Sequence, residues 1–320
     1  MSDDPFAAMS PAMRRLATFP LPIRRAIFWL MWHYGWLIGR SKTIRAYRSD
    51  FLRYLGVPLR HLGSLERRLT FHYTFCVFEL ATFLGRKTEG LIEDLRHVDI
   101  ENAEALKKLS QDDRSVIFAP LHMGSNVFAM VVLIYLHFRG RNILILRKGA
   151  REVESYIFQR VKDIGSEVRF MFVDDKASFV EALRFARRKA VIICFCDLPP
   201  HFGSPESVEL LGRPARMAMG IEALARAVDA PIVPLTIFSR MSCEKVIVGK
   251  PFEVGSSAPA ERLRVARRIA DHVTNAIRLA PEQWQLWCIL NRFLDELAKP
   301  EDGEGSGRPQ ADHPYAMAAE

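Results

Sequence analysis

A histidine stands where a predicted strand gives way to a predicted helix. The apolar run Val116–Ala119 is broken by Pro120, His122 follows, and Gly124 precedes a second apolar stretch of helical length. This order is typical of a buried strand, a sharp turn and a helix. In α/β sheets, ligands meet side chains at the carboxyl ends of strands. A histidine there can act as a general base near neutral pH, or it can simply hydrogen-bond the turn.

Charged residues also follow two other predicted strands. Arg147 comes after the strand Asn142–Leu146, with Lys148 next to it, and such a cationic pair suits a phosphate group. Asp197 comes after the strand Val191–Cys196. A carboxylate in that place can bind or orient a ligand, or it can cap the turn that follows.

A Gly-Arg-Pro turn is the fourth candidate for chemistry. Gly212 lies in this turn, and Arg213 and Arg216 follow it at the predicted start of the helix Met217–Val228. Backbone N–H groups at a helix start, together with two guanidinium groups, would suit an anion or a developing oxyanion. A fifth candidate is the run P-E-Q-W-Q-L-W at Pro281–Trp287.

Strands and helices alternate along the part of the chain that would position these residues. Such alternation predicts an α/β fold with a largely parallel sheet covered by helices on both faces. The predicted strands are Val116–Ala119, Asn142–Leu146, Val168–Phe172, Val191–Cys196, Ile232–Phe238 and Lys245–Val248. The predicted helices are Phe71–Leu84, Ile100–Leu109, Asn126–His137, Glu152–Ile164, Ser178–Lys189, Met217–Val228 and Ala260–Leu279.

An aromatic segment near the N-terminus predicts contact with a membrane surface. Ile27–Gly39 contains three tryptophans and a tyrosine, and no acidic residue occurs between Asp4 and Asp50. The segment is shorter than the ~20 residues of a spanning helix, and tryptophan and tyrosine favour the bilayer interface. We expect a helix lying in the surface, with basic residues facing anionic lipid head groups: Arg24, Arg25, Arg40, Lys42, Arg45 and Arg48. The alternative is a buried core helix with a solvated basic flank.

The composition of the chain restricts the kinds of partner that it is expected to bind. The formal charge of +8 and the pI near 9.4 indicate an anionic partner. Nucleic acid is not expected, because basic and aromatic residues are not interleaved along a strand and no phosphate-binding glycine loop occurs. The five cysteines show no C-x-x-C spacing, so neither a metal site nor a disulfide framework is predicted, and a reducing cytoplasm fits best. No cleavable signal peptide is predicted.

Taken in order, these blocks resemble the lipid A biosynthesis (lauroyl/myristoyl) acyltransferase family, within the glycerophospholipid acyltransferase superfamily. The resemblance covers about Arg114 to Phe293, after a family-like membrane-binding segment. It rests on the following blocks: H-M-G-S-N-V at His122–Val127, Arg147, Asp197 with Phe202-Gly203, Leu211-Gly212 with Pro214-Ala215, Ala230–Pro234, Pro281–Trp284 and Asn291–Phe293.

The resemblance implies a fold, an organisation and an activity. The expected regions are a membrane-associated helical segment at 1–65, an acyltransferase-like α/β domain at 66–298 and a disordered tail at 299–320. The expected reaction moves a fatty acyl group from acyl carrier protein or coenzyme A to a hydroxyl or amine of a lipid acceptor. It would take place at the cytoplasmic face of the inner membrane, without a cofactor. His122 would be the base, and the substrate-binding residues would be Ser125, Arg147, Asp197, Gly212, Arg213 and Arg216.

One position departs from the family pattern. The family has an acid five positions after the histidine, where this chain has Val127. Asn126 would share the helix face of His122 and could orient it, so Asn126→Ala should cost more activity than Ser125→Ala. Alternatively, a carboxylate from elsewhere, Asp197 first, supplies the charge. The remaining interpretations are an acceptor that loses its proton more easily, such as a small metabolite, and a non-catalytic protein that binds lipids or a carrier protein.

Overall fold

A seven-stranded sheet with helices on both faces organises the protein. The computed structural model describes residues 9–39, 43–147, 167–172 and 176–294. The helices in these ranges are α1 (Pro11–Ala17), α2 (Leu21–Leu37), α3 (Arg48–Leu55), α4 (Leu59–Gly85), α5 (Thr88–Asp94), α6 (Ala103–Gln111), α7 (Asn126–His137), α8 (Lys176–Ala186), α9 (Gly220–Val228) and α10 (Pro259–Leu279). The strands are β1 (Val98–Glu101), β2 (Val116–Pro120), β3 (Ile143–Arg147), β4 (Val168–Phe172), β5 (Val191–Ile193), β6 (Pro205–Leu210), β7 (Arg213–Ala218), β8 (Ile232–Ser239) and β9 (Glu244–Val248).

The order of strands in the large sheet is β1-β9-β8-β2-β5-β3-β4. All neighbouring strands are parallel except β8 and β9, which pair antiparallel. The remaining two strands, β6 and β7, form a separate antiparallel hairpin. The carboxyl ends of β2, β3, β5 and β8 therefore meet at one edge of the sheet.

The central strand β2 is buried at all five positions because both faces of the sheet are covered. Ile117 and Ala119 pack into one apolar cluster together with side chains of α10. Val116 and Phe118 point to the opposite face, where they join the cluster that contains most of α7. This alternation explains why the sequence of β2 reads as a continuous apolar run.

The predicted α/β alternation and the mostly parallel sheet are confirmed, with differences in particular elements. The segment predicted as one helix at Ile100–Leu109 begins as the edge strand β1, and Asn102, with a φ of 63°, separates that strand from α6. The strands of the β6–β7 hairpin are not among those that the sequence pattern predicts. The predicted helix Glu152–Ile164 and the predicted tail 299–320 lie outside the described residues.

The expectation that Arg24 and Arg25 face lipid head groups is wrong. Both side chains are buried, with relative exposures of 2% and 0%. They pair with carboxylates from distant parts of the chain: Arg24 with Asp94 at 2.6 Å, Arg25 with Glu79 at 2.7 Å, and Arg25 also with Glu244. Burying a cation is unfavourable unless it is paired with an anion. The local sequence has no acidic residue, and the carboxylates come instead from α4, α5 and β9, which pack against α2.

The outer side of α2 nevertheless carries a large apolar surface. Leu30, Tyr34 and Leu37 have relative exposures of 60%, 65% and 74%. Across the described parts of the chain, no helix has both the length and the apolar character needed to cross a bilayer. On the sequence flank after α2, Arg48 pairs with Glu66, while Arg40 and Lys42 lie outside the described residues.

Candidate active site

The pairing of β2 with β5 brings His122 and Asp197 together. The register joins Val116 to Val191 and Phe118 to Ile193. The same offset of 75 residues, continued past the ends of both strands, aligns His122 with Asp197. Hydrogen bonds from Cys194 to Phe118 and from Cys196 to Pro120 show that the ladder continues in that direction.

Asp197 binds His122 through both carboxylate oxygens. Oδ1 accepts a hydrogen bond from Nδ1 of the ring at 2.8 Å, and Oδ2 accepts one from the backbone N–H of His122 at 2.8 Å. Because a carboxylate is an acceptor, this contact assigns the proton of the neutral imidazole to Nδ1. The other ring nitrogen, Nε2, is then an unprotonated acceptor. It has no hydrogen-bond partner among the described residues.

The ring of His122 is also held from its face. Phe195 stacks on it with centroids 4.1 Å apart and an interplanar angle of 24°. The His122 side chain keeps 11% of its surface exposed, whereas the Asp197 side chain has none. The imidazole is thus fixed in orientation but still accessible to a substrate.

A segment far along the chain supports this pair. The indole N–H of Trp284 donates to Oδ2 of Asp197 at 3.0 Å, and the backbone N–H of Gln285 donates to the carbonyl of His122 at 2.9 Å. Trp284 itself is fully buried. The run Pro281–Trp287 is recognisable in the sequence, but its contact with Asp197 depends on tertiary packing.

A buried polar network connects the turn after His122 to the helix α2. The Ser125 hydroxyl lies 3.0 Å from that of Ser239, and Ser239 donates to Glu244 at 2.9 Å. Glu244 pairs with Arg25. The side-chain amide of Gln283 bonds both the N–H and the carbonyl of Ser239. Ser239 and Gln283 carry no local sequence signal for this role.

Gly124 allows the turn to lie directly against β8. Its φ is 57°, and a Cβ atom at this position would be 2.8 Å from the Cα of Phe238 and 2.9 Å from the carbonyl oxygen of Ile237. Both neighbours are backbone atoms of a buried strand. The turn therefore requires a residue without a side chain.

Replacing Gly124 with alanine is expected to lower the free energy of unfolding by about 2–4 kcal/mol, because it adds an overpacking clash to the cost of a positive φ. Gly212→Ala is the matched control: Gly212 has a φ of 79°, but a Cβ atom added there would have no atom within 4 Å beyond its own chain neighbours. Its cost should be about 1 kcal/mol. Urea denaturation of both variants measures the difference, and equal costs would contradict the close approach to β8.

The contact expected for Asn126 is made by Asp197 instead. Asn126 is buried and begins α7, but none of the hydrogen bonds of His122 within the described residues goes to it. Ser125, predicted to bind substrate, has its hydroxyl within hydrogen-bond distance of Ser239. The carboxylate that contacts the His122 ring therefore comes from the end of another strand.

The predicted anion-binding residues are distributed over two places. Arg147 ends β3, so its backbone lies at the same edge of the sheet as His122, while its side chain and Lys148 are outside the described set. Arg213 and Arg216 do not precede a helix: both lie on β7, and α9 begins only at Gly220.

The Gly-Arg-Pro turn is the tip of the β6–β7 hairpin. Leu211 and Gly212 both have positive φ values, as two-residue hairpin turns require. The base of the hairpin contacts the loop after Asp197, through a hydrogen bond from Ala218 to Leu198. At ~3.3 Å per residue along β7, Gly212 lies roughly 20 Å from that base.

One protein family matches most of the chain. A family model described as bacterial lipid A biosynthesis acyltransferase matches residues 73–295. The match begins within α4, earlier than the block at Arg114, and it includes all of the strands β1 to β9. A search of curated proteins returns no match. The chain belongs to the bacterial lipid A biosynthesis acyltransferase family.

Proposed function

We propose that the protein transfers a fatty acyl group from an acyl thioester, carried by acyl carrier protein or coenzyme A, to a hydroxyl or amine of a lipid acceptor. Membership of an acyltransferase family supports transfer of an acyl group. The observation that carries the mechanism is the hydrogen bond between Nδ1 of His122 and Asp197 at the carboxyl ends of β2 and β5.

In this proposal, His122 is the general base. Nε2 accepts the proton of the acceptor hydroxyl while the hydroxyl oxygen attacks the thioester carbonyl carbon. The new C–O bond forms, the C–S bond breaks, and the proton passes from Nε2 to the departing thiolate. The products are an ester and a free thiol, so the reaction balances without another reactant. Asp197 keeps the ring in the reactive tautomer and stabilises the transient imidazolium.

Two further substrate contacts are part of the proposal. Arg147 is the candidate for a phosphate group of donor or acceptor, because β3 ends at the same sheet edge as β2 and β5. Arg216, exposed on β7, is a second candidate. Gly212 and Arg213 are less favoured because they lie at or near the tip of the hairpin, away from the base that contacts the loop after Asp197.

The test is transfer of a labelled acyl group by purified protein from acyl carrier protein or coenzyme A thioesters to extracted lipids. Wild-type protein should consume the thioester and His122→Ala should not. Full activity of His122→Ala would exclude the mechanism. Absence of turnover by the wild-type protein with every donor would favour the non-catalytic alternative. Mass spectrometry of lipid and metabolite pools with and without the protein would identify the acceptor.

We also propose that the outer side of α2 attaches the protein to the cytoplasmic face of the inner membrane. Leu30, Tyr34 and Leu37 form an exposed apolar face on one helix, and aromatic side chains favour the interface between lipid and water. Arg45, exposed after α2, is the described residue of the basic flank that remains available for anionic head groups.

Replacing Leu30, Tyr34 and Leu37 together with serine should reduce flotation with phosphatidylglycerol vesicles at least tenfold, since these side chains would no longer be buried in lipid. The matched control replaces three exposed leucines elsewhere, Leu59, Leu136 and Leu279. Equal flotation of the two triple variants would contradict attachment through α2. Full solubility of the wild-type chain in low salt without detergent would also contradict attachment to the membrane.

A further inference from the structure

A cavity of about 500 Å³ opens beside α2, away from the catalytic pair. Its walls come from α2, from α4, from the segment after β8 and from the turn at Pro281–Gln283. Three tryptophans of α2 line it, Trp29, Trp32 and Trp36, together with Phe71 of α4. Ligand pockets commonly have volumes of ~300–1,000 Å³, so this cavity has the size of a binding site.

The cavity carries an excess of positive charge. Arg67, Arg68 and Arg240 line it, against one acidic residue, Glu282. Nε of Arg68 lies 3.5 Å from Oε1 of Glu282, and this carboxylate partly neutralises the charge of Arg68. Arg67 and Arg240 have no carboxylate partner among the described residues. Their guanidinium groups lie over aromatic rings instead, Arg67 over Trp36 at 5.0 Å and Arg240 over Phe238.

A buried nitrogen in the wall also lacks a partner. His72 lines the cavity, and its Nδ1 is buried without a hydrogen bond in the described part of the chain. Burial, followed by the charges of Arg68 and Arg25, lowers the pKa of His72 to about 3. The ring is therefore neutral near pH 7, and its unpartnered nitrogen can donate or accept one hydrogen bond according to tautomer.

The cavity is distinct from the site around His122. Neither His122 nor Asp197 lines it. The two places share a wall, because Gln283 faces the cavity while the next two residues hold the catalytic pair: Trp284 bonds Asp197 and Gln285 bonds His122. A ligand in the cavity would lie against the segment that supports the catalytic pair.

We propose that this cavity binds a single phosphorylated amphiphile. Unpaired arginines bind phosphate through several N–H groups, and indole rings accommodate the boundary between a polar head and an apolar chain. Trp29 lines the cavity and is 40% exposed on the outer side of α2, so the cavity reaches the apolar surface of that helix. An isolated phosphate ion would leave the tryptophans without a partner, and a neutral lipid would leave the arginines without one.

Binding can be followed through the tryptophans themselves. The other two tryptophans, Trp284 and Trp287, are fully buried, so emission changes will come chiefly from the cavity. Full-length protein is titrated with dihexanoyl phosphatidic acid below its micelle concentration. We expect a saturable change, with much weaker responses to dihexanoyl phosphatidylcholine and to inorganic phosphate.

The variant Arg67→Gln with Arg240→Gln should bind dihexanoyl phosphatidic acid about ten- to a hundredfold more weakly, because two charged donors are lost. The matched control, Arg184→Gln with Arg188→Gln, removes two exposed arginines from α8 and the turn after it, at the opposite edge of the sheet. It should bind like the wild type. Non-saturable binding, or equal losses in the two variants, would overturn the proposal.

Two sources of this ligand are distinguished by a second measurement. If the amphiphile is the acyl acceptor, Arg67→Gln with Arg240→Gln raises the KM for acceptor while kcat stays unchanged. If it is a membrane phospholipid, the KM is unchanged and stimulation of activity by phosphatidic acid vesicles is lost. The titration is repeated with His122→Ala, which should bind normally. The result of the binding test therefore does not depend on whether the protein transfers acyl groups.

Discussion

Asp197→Asn is expected to lower kcat by about 10³- to 10⁴-fold while leaving the protein folded. In the variant, the amide oxygen can take the place of Oδ2 and accept from Trp284 and from the backbone of His122. The amide NH₂ then faces Nδ1, which must be unprotonated to accept from it. The proton moves to Nε2, and the histidine can no longer act as a base. The same tautomer argument accounts for the size of this effect in serine proteases.

Steady-state kinetics with saturating thioester and acceptor measure this effect, and thermal unfolding checks the fold. Asn126→Ala is the control, with an expected loss of less than tenfold, because Asn126 makes no hydrogen bond to His122 within the described residues. The double variant Asp197→Asn with His122→Ala should be no worse than His122→Ala, since the two residues act as a unit. A small effect of Asp197→Asn together with a large effect of Asn126→Ala would show that Asn126, and not Asp197, orients His122.

Arg25→Met is expected to lower the free energy of unfolding by about 3–5 kcal/mol, the usual result of removing one partner from a buried charge network. Arg25 lies between two buried carboxylates, Glu79 and Glu244, and also donates to the carbonyl of Arg240 at 2.7 Å. Burial alone would lower the pKa of Arg25, but the two carboxylates outweigh burial and raise it. Without this cation, two buried negative charges remain close together.

The loss of stability in Arg25→Met should depend on pH. Burial raises the pKa of Glu244 even with Arg25 present. In Arg25→Met this pKa rises further, so the folded state takes up a proton at Glu244 more readily than the unfolded chain does. The deficit relative to wild type is then largest near pH 7–8 and narrows as the pH falls toward the unfolded value, ~4.3. A deficit that widens on acidification would contradict this account.

Urea denaturation at pH 8 and pH 5 measures both the loss of stability in Arg25→Met and its dependence on pH. Arg48→Met is the control, because Arg48 pairs with Glu66 through a side chain that is 48% exposed, and its loss should cost at most ~1 kcal/mol. Adding Glu244→Gln to Arg25→Met should restore part of the stability. If Arg25→Met costs no more than Arg48→Met, the buried network contributes little.

Short-range sequence features were sufficient to predict the elements of the site. The apolar run of β2, broken by Pro120 and followed by His122 and Gly124, predicts a strand, a turn and a helix, and α7 begins and ends where the pattern indicates. Asp197 was identified as a strand-end carboxylate for the same reason. Local composition also predicted the α/β class, because buried parallel strands are apolar throughout while helices show a 3.6-residue period.

The Gly-Arg-Pro block shows where local reasoning failed. A glycine-containing turn before an apolar stretch is compatible with both a hairpin and a helix start. The choice depended on Leu211 and Gly212 adopting positive φ values and on α10 covering the hairpin. Likewise, a basic segment without acidic neighbours predicts exposed charge, and only distant carboxylates allow Arg24 and Arg25 to be buried.

The sequence alone determined which side chains stand at strand ends, because strand and turn patterns are encoded over a few neighbouring residues. The tertiary structure decided which of those ends are neighbours. β5 inserts between β2 and β3, and the 75-residue offset between β2 and β5 puts Asp197 against His122. Strand order and register arise from the packing of the whole sheet against its helices, and no local pattern records them.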